Sequence, residues 1–248
     1  MIPIYSEQPT NWKDLQIKTA KIFEDIGYVT FIEKNIQTVR GVVNADVICT
    51  KKSGPFEDKI IIECKYWSKN IPKSVIHSFR TVISDSGASF GYIITKKGFQ
   101  SGAIEATNTS NVRLLSFEEF QASARSVWLR KVIDDIHENA YSLRRYCNPT
   151  ETCFDNYLEK LSRNTQQEIL ELQMRYFAFS LLTVKNLYKD PITNEISEDY
   201  LERSIIEKWA VYHNCKLSSL MEYYTWLNEA SNKLILEFDA LYGAKLRK

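Results

Sequence analysis

The chain has 248 residues, 44% of them hydrophobic and 25% charged, with a formal net charge of +1 at pH 7. This ordinary globular composition suits one large domain or two smaller ones, and neither half of the chain is a polycation, so any nucleic acid would meet a local groove and not a basic tail. No apolar run approaches the roughly 18 residues of a membrane span, and Met1-Ile2-Pro3-Ile4-Tyr5 lacks a signal pattern, so a cytoplasmic protein with no membrane association is expected.

Asn11 to Gly27 reads as the first helix, with Asn11 as N-cap and Gly27 as C-cap; Trp12, Leu15, Ala20, Ile22, Phe23 and Ile26 mostly recur at helical spacing. Tyr28–Ile32 follows as a strand, and Glu33–Arg40 lengthens either that strand or the next loop. Gly41 opens a strand that carries Asp46. After the Gly54-Pro55 turn, Lys59–Lys65 forms a second apolar strand. Pro72 starts a helix through Val75, Ile76, Phe79, Val82 and Ile83, ending near Ser86-Gly87. Phe90–Thr95 is almost continuously apolar, the pattern of a strand covered on both faces. A short helix over Ser101–Thr107 and a last strand over Val112–Leu115 follow; Ser116 and Glu119 then form a capping box. This alternation predicts an α/β domain with a mixed sheet and right-handed crossovers.

The pattern changes near Gln121. Beyond it no convincing strand appears, only amphipathic stretches at Val127–Arg145, Phe154–Asp190 (with a break near Asn164) and Glu198–Tyr242. Polar interruptions at Asn148-Pro149, at Asp190-Pro191 and around Asn214 or Asn228 divide them. The expectation is an α/β domain over 1–120 and an all-α domain, a helical bundle, over 121–248. Cys49, Cys64, Cys147, Cys153 and Cys215 are odd in number and lack zinc-ligand spacing, so free thiols are expected. His137 and His213 have no ligand-like spacing. Arg144-Arg145-Tyr146 suits either a partner or nucleic-acid contact or the end of a helix dipole.

The chemistry concentrates between Asp46 and Lys65. On a strand, Glu63 and Lys65 share one face while Ile62 and Cys64 share the other, and a hairpin would set Asp46 beside Glu63. Two carboxylates and an ammonium on one face are costly unless a cation or substrate resolves them. Asp46 and Glu63 are hard oxygen donors for Mg²⁺ or Mn²⁺, and equally for Ca²⁺; the Cys64 backbone carbonyl is a further ligand of the same kind. Such an ion polarises a phosphodiester and acidifies a bound water. Lys65 would orient or deprotonate that water or act electrostatically, and the residues leave these roles open. Lys69, Lys73, His77, Arg80, Lys96 and Lys97 are the nucleic-acid contacts to expect around it, since loops at strand ends present phosphate contacts. A glycosidase reading of the carboxylate pair leaves Lys65 unused.

In order, Ile26-Gly27-Tyr28, Gly41 to Ile48 with Asp46, Glu63-Cys64-Lys65-Tyr66, Thr95, Gly98-Phe99, Ala103 and Ala106 resemble the Mrr-type branch of the PD-(D/E)xK restriction-endonuclease fold over about residues 12–120. The resemblance implies a restriction-endonuclease-like mixed central sheet flanked by helices and Mg²⁺-dependent (or Mn²⁺-dependent) hydrolysis of DNA. It implies Asp46 and Glu63 as ligands and Lys65 as the catalytic lysine. Where the family often has an acid in the first helix, this chain has Gln16, which would hold a water and which favours one metal over two. The approach to Asp46, through Val43-Asn44-Ala45, is also less glycine-rich than the family's.

The expected function is therefore a DNA endonuclease of restriction or phage-defence type. It would be a homodimer through the helical half, which would also sense a target or dock a regulatory protein. The alternatives are a non-catalytic nucleic-acid-binding or scaffold protein with a decayed nuclease domain, or a nuclease acting on RNA.

Overall fold

The computed structural model describes residues 2–148, 150, 154–193 and 197–243; Cys153 and Pro149 lie outside them. The chain divides into two compact units. One is Glu7–Trp128; the other combines the described residues before Glu7 with those from Leu129 onward. No helix among the described residues is long and apolar enough to cross a membrane.

The first unit holds α1 (Trp12–Asp25), β1 (Val29–Thr38), β2 (Gly41–Ser53), β3 (Phe56–Lys65), α2 (Lys73–Ser86), β4 (Phe90–Thr95), α3 (Ser101–Glu105), β5 (Val112–Ser116) and the start of α4 (Phe117–Asn139). The sheet order is β1-β2-β3-β4-β5. The first three strands form an antiparallel meander, and β4 and β5 add in parallel through crossovers containing α2 and α3. This is the mixed, helix-flanked sheet expected.

Local signals fix the ends of these elements. The Asn11 side chain accepts the Asp14 N–H at 3.0 Å, satisfying a donor that the first turn leaves open. At the other end of α1, Gly27 (φ 90°) closes a Schellman turn: its N–H donates to Glu24 O and the Tyr28 N–H to Phe23 O. Gly87 (φ 66°) ends α2. Ser116 Oγ accepts the Glu119 N–H while Glu119 Oε2 accepts the Ser116 N–H, the reciprocal capping box.

Alternation divides the sheet's side chains between two layers. Ile48, Ile61 and Ile93 pack with Ile76, Phe79 and Ile83 of α2 and Ala103 of α3. On the other layer Phe23 of α1 stacks on Phe120 of α4 at 5.6 Å and meets Tyr92 edge-on at 6.2 Å. The buried Trp128 Nε1 donates to Asp25 Oδ2 at 2.8 Å.

The second unit is helical among its described residues: the rest of α4, α5 (Tyr141–Tyr146), α6 (Asp155–Leu158), α7 (Arg163–Leu181), a 3-10 turn at Lys185–Tyr188, α8 (Glu198–His213) and α9 (Leu220–Tyr242). The helix that starts after Ser116 runs unbroken through Gln121, so the expected stretch from Val127 is its continuation. Asn214 (φ 47°) ends α8, whereas Asn228 lies inside α9 and divides nothing. Tyr146, fully buried, donates to Asp239 Oδ1 at 2.6 Å and stacks on Phe238. The first residues of the chain complete this unit: the carbonyls of Pro3 and Ile4 accept the N–H groups of Leu220 and Met221, and Ile4 is fully buried. Those donors belong to the first turn of α9, which has no intrahelical acceptor for them. His137 Nδ1 and Arg144 Nη1 both meet the Thr183 carbonyl, at 3.2 Å each, so both have structural partners.

Candidate active site

The strand carrying Asp46 is irregular at that residue. The β1–β2 ladder pairs Ile32 with Val47 and Lys34 with Ala45 but skips Glu33 opposite Asp46, and Glu33 has φ 51°. The β2–β3 ladder reaches Val47–Ile62 and stops there. Ala45 and Ile48, three residues apart, both join the layer under α2, which an evenly pleated strand would not permit. Asp46 therefore sits at a kink where β2 parts from β3.

Its carboxylate spans the gap: Oδ2 accepts the Cys64 N–H at 2.7 Å. The N–H and C=O of a strand residue point to the same edge, so the Cys64 carbonyl also faces β2, where the ladder has ended. The Lys65 carbonyl faces the opposite edge and accepts from Lys96 N and Thr95 Oγ1, at 3.2 Å each.

Glu63 and Lys65 project toward α2 and pair there, Lys65 Nζ with Glu63 Oε1. Both line a cleft of about 350 Å³ walled by Trp67, Asn44 and, from α2, Val75, Phe79 and Val82. Burial pushes the Glu63 carboxyl above the ordinary glutamate range; the Lys65 hydrogen bond opposes this, and the Asp46 charge adds to it. Asp46 and Glu63 are thus close enough to repel. The Cys64 thiol, on the other face beside Thr19, is held protonated chiefly by burial. Only its backbone is suited to ligation.

Gln16 lies on α1, 2% exposed, one turn from Thr19, and its Oε1 has no hydrogen-bond partner. Of the basic residues, Lys69, Lys73, His77, Lys96 and Lys97 are exposed. Lys96 Nζ is held by the Tyr66 hydroxyl at 2.9 Å and lies 4.2 Å from that ring's centre. Lys69 stands beside Trp67 in a neighbouring shallow cleft. His77 and Arg80 instead line a separate cleft of about 600 Å³, with the Arg40–Asp85 ion pair (3.0 Å), and Arg80 Nη1 is bound to the Ala106 carbonyl at 3.0 Å. Those two are not gathered with Glu63 and Lys65. The sequence shows Trp67 only as part of the aromatic-basic stretch Tyr66-Trp67-Ser68-Lys69 that follows the strand, with no role of its own.

Among the described residues no group of three or more His, Cys, Asp or Glu side chains is arranged to hold a metal ion. The candidate donors are two carboxylates and the Cys64 carbonyl, with the unpartnered Gln16 oxygen on α1. All are hard oxygens, and the two anions lack a full complement of cations. This fits a small divalent ion such as Mg²⁺, which takes a few protein oxygens and keeps several waters.

Residues 8–124 match the family model of a restriction endonuclease, the Mrr catalytic domain. A domain of the Mrr, PD-(D/E)xK-like type is therefore present in this chain. No curated protein matches the chain. The crystal structure of a protein of unknown function, AF1548, is similar over 94% of this chain and 100% of its own, at 13% identity and a TM-score of 0.38, a likeness too slight to carry an argument.

Proposed function

We propose that the first unit is a Mg²⁺-dependent endonuclease that hydrolyses DNA phosphodiester bonds, with Mn²⁺ as a substitute ion. The observation that carries this reading is the convergence of Asp46, Glu63, Lys65 and the Cys64 carbonyl where β2 parts from β3, on a chain segment matching a nuclease family. Asp46, Glu63 and the Cys64 carbonyl would hold the ion. When bound, it supplies polarisation of the phosphodiester and a more acidic water.

The remaining work falls to the chain's own groups. The Cys64 N–H fixes one oxygen of Asp46, and the other would be the ion's. Lys65, now the counter-ion of Glu63, would turn its ammonium toward a phosphoryl oxygen in the cleft and offset charge as the bond breaks. Gln16 would hold a water from the α1 side. Lys69, Lys73, Lys96 and Lys97 would contact phosphates. We read the second unit as the part that dimerises, senses a target or docks a regulatory protein; a dimer would set one site on each strand wherever both strands are cut. A restriction or phage-defence role is proposed on the family likeness alone.

The test is cleavage of plasmid, linear and single-stranded DNA and of RNA by wild type and Lys65→Ala, with Mg²⁺, Mn²⁺ or EDTA. DNA cleavage should require the ion and fall about 100-fold or more in Lys65→Ala. Activity that survives both EDTA and Lys65→Ala would overturn the mechanism; cleavage of RNA alone would change the substrate. Binding without any cleavage would favour a decayed nuclease that retains nucleic-acid affinity.

A further inference from the structure

Trp67 is the residue that the catalytic cleft and its neighbour share. It lines the cleft of Glu63 and Lys65, and it also lines the shallow cleft of about 460 Å³ formed with Tyr66, Ser68 and Lys69. Trp67 is 37% exposed, and the Lys65 ammonium lies 5.6 Å from the centre of its ring. The adjacent aromatic is already committed, since Tyr66 holds Lys96 through its hydroxyl and ring face. A partly exposed indole thus stands beside the Lys65 ammonium, with Lys69 in the cleft it shares and Lys96 held on the adjacent Tyr66.

We propose that Trp67 is a stacking platform for an unpaired base next to the scissile phosphate, and that the substrate is single-stranded or locally unpaired DNA. This rests on the nuclease reading above. In an intact duplex both faces of each base are covered by its neighbours, so an indole at this place finds no partner unless the nucleotide is unpaired or turned out of the stack. Stacking on an aromatic face is tolerant of sequence and strong enough to select strandedness, and flanking lysines that follow the backbone complete such a site. An intact duplex would have to be opened first, which slows it relative to a mismatched or single-stranded substrate.

The competing role for Trp67 is positioning: steering the Lys65 ammonium and nothing more. Oligonucleotides carrying the fluorescent base 2-aminopurine separate the two. Full-length Lys65→Ala protein is titrated with such single strands, mismatched duplexes and intact duplexes, alone and combined with Trp67→Phe or Trp67→Leu. In parallel, kcat and KM are measured for the Trp67 variants with Lys65 intact. Quenching of 2-aminopurine in single strands and mismatches is expected, kept by Trp67→Phe. Trp67→Leu should abolish it and weaken single-strand binding about tenfold.

Absence of quenching, equal affinity for intact duplex and single strand, or a lowered kcat with unchanged KM in Trp67→Leu would overturn the proposal. Quenching without metal-dependent cleavage would instead overturn the nuclease reading alone, while cleavage without quenching would overturn the stacking role alone. Trp67→Phe guards against misfolding, because it keeps an apolar ring at the half-open position.

Discussion

Asp14 stands at the start of α1, where it accepts the Thr10 N–H at 2.8 Å and pairs with Lys18 at 3.2 Å. Burial pushes its carboxyl up, but the Thr10 hydrogen bond and Lys18 together bring it below the usual aspartate range. A depressed folded-state value stabilises the fold above the unfolded group's pKa, and that stability is lost as pH falls through the folded value. Asp14→Asn should therefore cost about 0.5–1 kcal/mol at pH 7, a difference from wild type that disappears in denaturant titrations as pH falls below the ordinary aspartate range. The thiols are a second case. Cys49, Cys64 and Cys147 are buried and Cys215 is exposed; burial pushes the Cys147 thiol up to about 12. Brief alkylation at pH 8 followed by peptide mapping should find Cys215 modified and the three buried thiols protected until the protein is denatured. At the proposed metal site, saturating Mg²⁺ should raise the stability of the wild type by roughly 1–3 kcal/mol and leave Asp46→Ala unmoved, read as a shift in Tm.

At the scale of elements, the sheet and the helix layer above it meet where β4 has no side chain. A methyl at Gly91 would come within 2.7 Å of Ile83 Cγ1 and 2.8 Å of Phe79 Cε1. Gly91→Ala should thus push α2 away from β4 and cost about 1–3 kcal/mol in equilibrium unfolding. Most element boundaries in this unit were legible because the residues that set them act locally: Asn11, Gly27, Gly87 and the Ser116–Glu119 box each make contacts within a few residues of themselves. The kink at Asp46 was not legible. It arises from the positive φ of Glu33 on a neighbouring strand and from the end of the β2–β3 ladder, both of which depend on register across strands. The breaks of the long amphipathic stretches were only partly legible, since Asn214 adopts the left-handed conformation that ends a helix while Asn228, the same residue type, does not. Likewise, alternation put Glu63 and Lys65 on one face, but the walls that Val75, Phe79 and Val82 give their cleft come from a crossover helix whose placement no local pattern encodes.

For the whole molecule, the linear order of the chain and the order of its two units differ. Residues 2–5 leave the unit that follows them and complete the far end of the chain, with the Ile2 N–H on Glu202 Oε1 at 2.6 Å, 200 positions away, and Ile4 buried completely. Ile4→Ala should cost about 2–4 kcal/mol in the second unit, seen as earlier loss of the amide protection of α9 in hydrogen exchange while that of β3 and β4 is unchanged. Composition and periodicity revealed the change from mixed to helical character near Gln121, but the return of the first residues was hidden, because a short apolar segment carries no address for its distant partner. That return has a consequence for synthesis. At roughly 5–20 residues per second, translation separates Ile2 from Glu202 by about 10–40 seconds. During this interval Glu7–Trp128 has emerged entire while the opening residues have nothing to bind. A ribosome that stalls before α8 would release a chain bearing the complete candidate catalytic centre and no finished helical unit to accompany it.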